Sequence, residues 1–128
     1  MKRIFHIIQF KLLLYGLGVK LETASKKSAA MKEHLANQDF IFQIQTRDNM
    51  CGRHFIVRDG VLISRPGVHP DPTFSQIWND PGEAFKLLLK RDDQVLKMAF
   101  DAGKYRLKGD FLVAFWFQEA MKIEETGR

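Results

Sequence analysis

From Met1 to Leu21 apolar residues recur at helical spacing. At 100° per residue, Lys2, His6, Gln9, Gly16 and Lys20 share one narrow strip. Ile4, Phe5, Ile7, Ile8, Phe10, Leu12, Leu14, Tyr15, Leu17, Val19 and Leu21 fill most of the remaining arc, and Lys11 interrupts it. Such a helix buries half its surface on its own domain or a dimer mate, or lies on an anionic lipid surface. The longest apolar run, Leu12 to Val19, is eight residues. A bilayer needs roughly 20, so a spanning helix is not expected. No small-residue pattern closes the segment as a cleaved signal would require. A second helix, about Ser25 to Ala36, carries Lys26, Lys27 and Lys32 beside Ala29, Ala30, Met31 and Leu35.

At Phe40 the period drops to two. Phe40, Phe42, Ile44 and Thr46 alternate with Ile41, Gln43, Gln45 and Arg47, which predicts a strand. Two further strands, His54–Arg58 and Val61–Arg65, flank Asp59-Gly60, a two-residue hairpin turn whose central residues need positive φ. Pairing Arg58 with Val61 puts Phe55, Val57 and Leu62 on one face and Ile56, Val61 and Ile63 on the other. Both faces of that sheet then call for a cover. After a Pro-rich loop over 66–72, Thr73–Trp78 is a fourth predicted strand.

The C-terminal half returns to helical spacing. Asp80-Pro81-Gly82-Glu83 opens a helix ending at Lys90-Arg91, with Asp80 as cap and Pro81 in the first turn. Asp92-Asp93 caps a helix over 94–102, ended by Gly103. Tyr105–Lys108 alternates as a fifth strand, and Gly109-Asp110 opens a last helix. In that helix Phe111, Leu112, Val113, Ala114, Phe115, Trp116 and Phe117 are apolar at every angle, so it is a core helix or the wall of an apolar cavity.

Charge sharpens the picture. Residues 1–37 hold seven Lys/Arg against two acids, whereas 38–128 hold thirteen of each, so the whole net charge of +5 sits in the first segment. Such a segment seeks an anionic surface. Lys2, Arg3, Lys11, Lys20, Lys26 and Lys27 are the membrane-docking candidates. The neutral sheet region argues against nucleic acid as a partner, because aromatic and basic residues interleave there only partly. Eleven Phe against two Tyr and two Trp favour a large apolar interior. The single cysteine, Cys51, excludes an internal disulfide and suits a cytoplasmic protein, peripheral at the membrane if the first helix docks there. Cys51 and His54 form no oriented nucleophile–base pair, and His6, His34, His54 and His69 lack ligand spacing. No cofactor or metal is expected, and no catalytic residue stands out.

From residue 38 onward the order of elements, and above all Ala99-Phe100-x-x-Gly103-Lys104-x-x-x-x-Gly109-Asp110, resembles the sterol carrier protein type-2 domain family. Within that family the basic helical front is similar to bacterial accessory proteins that handle isoprenoid quinone intermediates, which points to ubiquinone biosynthesis. The resemblance implies an α+β fold: a small twisted, mainly antiparallel five-stranded sheet covered by helices around an apolar tunnel. It implies a non-enzymatic carrier of a fatty acyl chain, sterol or isoprenoid. The expected organisation is a helical docking segment over 1–37 and a lipid-binding domain over 38–128. Phe85, Leu88, Leu89, Phe100, Phe111, Phe115 and Trp116 are the expected walls. The alternative is a scaffold module without lipid, whose first helix binds a partner protein or a second copy of the chain.

Overall fold

The structure, a computed structural model, describes residues 2–127. Five strands form one sheet: β1 Phe40–Thr46, β2 Gly52–Arg58, β3 Val61–Pro66, β4 Phe74–Trp78 and β5 Tyr105–Gly109. The order is β3-β2-β1-β4-β5, antiparallel throughout except for the parallel β1–β4 pair. The hairpin closes as its sequence predicts, with Arg58 opposite Val61 and both turn residues, Asp59 and Gly60, at positive φ (55° and 75°).

Because β1 and β4 run parallel, the chain must cross the sheet between β3 and β4. Residues 67–73 do so over the outer face. Gly67 N–H donates to Gly52 O, and Thr73 N–H donates to Ile41 O. Midway, His69 N–H donates to Gln43 Oε1, while Gln43 Nε2 donates to Gln45 Oε1. The loop thus partners Gln43, while Gln45 Nε2 donates to Thr46 O and Asn49 Oδ1, so a central strand buries two glutamines with nothing left unsatisfied. The loop does not reach the hairpin. Val61 and Ile63 stay exposed there, which corrects the expectation that both faces are covered.

Helices cover the inner face. The first, α1 Lys2–Lys27, runs past the expected end at Leu21, because nothing in Glu22-Thr23-Ala24 breaks it. Ser28 ends it by capping α2 Ala29–Leu35, its hydroxyl accepting from Met31 N–H. Phe10, Leu14, Leu21, Met31 and Leu35 are fully buried and share one core with Phe42, Phe55, Val57, Leu62 and Trp78. Asp80 caps α3 Pro81–Lys90, Asp92 caps α4 Asp93–Asp101, and Asp110 caps α5 Phe111–Thr126.

Two contacts set the helix layer on the sheet. Gly18 of α1 lies against Ser64 of β3 so closely that a Cβ there would stand 2.1 Å from Ser64 Oγ. Arg53 donates to the same Ser64 Oγ at 2.8 Å and lies 5.5 Å from the centre of the Tyr15 ring. Burial lowers the pKa of its guanidinium from the usual range, and Glu22 opposes that shift. At the other end, α2 clasps α5. Trp116 Nε1 donates to His34 O, His34 Nε2 meets Trp116 O (both 2.8 Å), and the two rings stack at 4.5 Å.

Candidate lipid cavity

Between the sheet and the helices a cavity of about 980 Å³ remains, at the upper end of small-ligand sites. Its floor is the inner face of the three strands β1, β4 and β5: Phe42, Ile44, Phe74, Gln76, Tyr105 and Leu107. These meet because strand side chains alternate and the register aligns Ile44 with Gln76 and Gln76 with Leu107. One wall is α1, with Leu12, Leu13, Leu14, Gly16, Leu17 and Lys20. A second is α3–α4, with Leu88, Leu89, Leu96 and Phe100. The third is α5, with Phe111, Ala114, Phe115, Phe117 and Met121. Phe117 is anchored by stacking on Phe42 at 3.9 Å.

Of the residues expected as walls, the structure brings Leu88, Leu89, Phe100, Phe111 and Phe115 to this cavity. Trp116 points 100° away from Phe115 on the same helix and belongs to the α2–α5 clasp. Phe85 is half-buried on α3 and does not line the space. The whole sheet floor and the α1 wall escaped the sequence reading. Alternation in 40–46 puts Phe42 and Ile44 on one face, but only the β1–β4 register shows which residues stand beside them.

The lining is mostly apolar; its polar members are charged groups at the rim, Gln94 of α4, Gln118 of α5, and Tyr105 and Gln76 on the floor. Lys20, Arg91, Asp93, Lys97, Lys122 and Glu125 form the rim. Arg91 is tied to Glu124 of α5 by a 2.7 Å ion pair. On the floor, Tyr105 donates its hydroxyl to Leu96 O at 3.0 Å, and burial raises the pKa of its phenol, reinforced by Asp101. Gln76 Oε1 accepts from Trp78 Nε1 at 2.7 Å.

The mouth is flanked by exposed apolar side chains. Leu12, Leu89, Phe111 and Phe115 are each more than half exposed although they line the cavity. The last helix therefore divides its apolar surface. Val113, Trp116, Ala120 and Ile123 enter the core, while Phe111, Leu112 and Phe115 face outward. On α1 a second strip, Ile4, Phe5, Ile8, Leu12, Tyr15 and Val19, also stays exposed and meets the cavity at Leu12. Over its 26 residues α1 is long and apolar enough to cross a membrane, because the helix carries apolar residues past Lys11. Its opposite strip is committed to the sheet through Phe10, Leu14 and Leu21.

The docking candidates Lys2, Arg3, Lys11, Lys20, Lys26 and Lys27 are all exposed along α1, and Arg3 pairs with Asp48. Hydrogen bonds from Met50 N–H and the Thr46 hydroxyl hold the Asp48 carboxyl below its usual range, with a smaller contribution from Arg3. Cys51 is buried, and burial pushes its thiol pKa up, away from a nucleophile's range. His54 Nδ1 is engaged by Gly67 O. No group of three His, Cys, Asp or Glu residues able to hold a metal occurs among the described residues.

No family model matches the sequence, and no curated protein matches it. Solved structures do. A UbiJ-SCP2 ubiquinone synthesis protein superposes with a TM-score of 0.64 at 17% identity, over 89% of this chain and 92% of that one. Sterol carrier protein 2 from Yarrowia lipolytica in its apo form gives 0.60 at 11% identity, over 86% and 90%. The sterol carrier protein domain 2 of Helicoverpa armigera gives 0.53 at 12% identity, over 85% and 82%. Each match spans more than four-fifths of both chains, so the chain has the sterol carrier protein 2 fold.

Proposed function

We propose that the protein is a non-enzymatic lipid carrier, which binds an apolar lipid in the cavity and transfers or presents it. The observation that carries this reading is the cavity itself: about 980 Å³ of largely apolar lining on a fold shared with sterol carrier proteins. Sequestration suffices as mechanism. A chain of roughly 20 carbons gains about 0.8 kcal/mol per CH₂ removed from water, on the order of 15 kcal/mol gross. Ordering the ligand and the protein consumes part of that gain and still leaves tight binding. The cargo class is a fatty acyl chain, a sterol or an isoprenoid quinone precursor. The likeness to a ubiquinone synthesis protein supports the last of these.

Loading occurs at a membrane surface in this reading. The exposed strip of α1, edged by Lys2, Lys11, Lys20 and Lys26, is suited to anionic headgroups and adjoins the mouth. Native mass spectrometry of gently purified protein, followed by organic extraction, tests the carrier. A stoichiometric adduct that extracts as lipid is the expected result. A clean apo mass that persists when fatty acids, sterols and isoprenoid quinones are offered would overturn it.

A further inference from the structure

The floor of the cavity carries an amide at its centre. Gln76 lies between Ile44 and Leu107 in the β1–β4–β5 register, and the next residue on the same face of β4 is the fully buried Trp78. The indole N–H donates to Gln76 Oε1 at 2.7 Å. An indole nitrogen only donates, so the amide oxygen must face it, and the amide orientation is fixed. Nε2, with two N–H donors, is left over. It has no acceptor among the described residues. It is not sealed in protein either: no buried side-chain nitrogen or oxygen among the described residues lacks a partner, so Nε2 keeps an open surface. Gln76 lines the cavity, and Phe42, Phe74, Ile44 and Leu107 surround it on the floor.

While the cavity is open, water can meet these two donors; an apolar occupant strips that water, and the loss is costly unless the occupant brings an acceptor. The charged rim groups, by contrast, can be met by water. Nothing on the floor is cationic, so a carboxylate there would lose hydration without a counter-charge. A neutral oxygen loses far less and gains the hydrogen bond. Resting on the carrier reading, we propose that the cavity selects lipids bearing a neutral carbonyl oxygen, which Gln76 Nε2 receives at mid-floor. Gln76 is then the specificity-determining residue, and Trp78 is its positioning residue. The signal in the sequence is a lone amide in Phe74-x-Gln76-x-Trp78, on a face otherwise apolar.

The test uses two probes of equal chain length, dodecyl methyl ketone and tetradecane, delivered from cyclodextrin and read by displacement of a fluorescent apolar dye. One good hydrogen bond predicts about tenfold tighter binding of the ketone to the natural protein. Gln76→Met keeps the volume and removes the donor. Gln76→Glu keeps an acceptor for Trp78 and replaces the donor with an acceptor. In each variant the ratio of ketone to tetradecane affinity should fall to about one, whatever happens to the affinity for tetradecane itself. A readout without any variant is the infrared carbonyl stretch of isotope-labelled ketone. In the natural protein it should fall below its value in hexane. Equal affinity for the two probes, a preference surviving in both variants, or a hexane-like stretch would overturn the role of Gln76 and leave the carrier reading standing. Failure of both probes to bind the natural protein would overturn the two together.

Discussion

Two glycines two residues apart on α1 do opposite things. At Gly16 a Cβ would meet nothing within 4 Å, so this glycine only loosens the helix. At Gly18 a Cβ would collide with both Oγ and Cβ of Ser64, so this glycine permits the approach of α1 to β3. Gly16→Ala is therefore expected to raise stability by about 0.5–1 kcal/mol, since it restricts the unfolded chain and suits the helix. Gly18→Val is expected to lower it by about 1–3 kcal/mol, as overpacking does. Urea unfolding of both variants checks the pair, and equal effects would refute the close packing of α1 on the sheet. The sequence offers the same two letters with no hint of this difference, because the neighbour at Gly18 comes from 46 residues away. Gln43 teaches the same lesson. Its alternation with Phe42 and Ile44 suggests a solvated face, yet the 67–73 loop buries it at 1% exposure and supplies its partner from His69.

At the scale of elements, caps and turns were legible because their chemistry is local. Asp80, Asp92 and Asp110 cap where they are expected, and Asp59-Gly60 turns as its conformation demands. Legibility ends at the faces of helices. The composition of α1 is apolar nearly all round, so the sequence could not tell which strip meets the sheet. The structure gives the sheet Phe10, Leu14 and Leu21 and leaves Ile4, Phe5, Ile8, Leu12, Tyr15 and Val19 outside. An exposed strip of that kind marks an interaction surface. If the strip docks on anionic lipid, the double variant Phe5→Ser, Ile8→Ser should weaken co-sedimentation with phosphatidylglycerol vesicles on the order of a hundredfold, as loss of two buried apolar side chains implies. Its melting temperature should hold, because both residues are more than half exposed in the fold. Docking should also weaken as salt is added. Unchanged sedimentation of the variant would refute docking through this strip. An oligomeric mass without membranes, lost in the same variant, would redirect the strip to a second copy of the chain.

For the whole molecule, the question is whether the space under the helices is a binding site or slack in the packing. The two differ in how the protein responds to being filled. Ala114 of α5 lines the cavity one turn before Phe117 and Gln118, and its neighbours Val113 and Trp116 hold the helix in the core from the other side. Ala114→Trp adds its ring to the open side of that helix. In a tightly packed interior such an insertion costs about 1–3 kcal/mol or more. In a chamber of about 980 Å³ the ring has room, and it buries apolar surface that replaces the ligand's. The expected outcome is thus a variant at least as stable as the natural chain in the absence of lipid, with uptake of fatty acid or apolar dye strongly reduced. The pairing of the two readouts decides the matter. Lost uptake with lost stability would mean the ring had disrupted the core, as it would in a molecule without a cavity. Retained uptake with full stability would place the ligand elsewhere on the fold. Only the combination of a stable variant and lost uptake follows from a site between α1, α5 and the sheet floor.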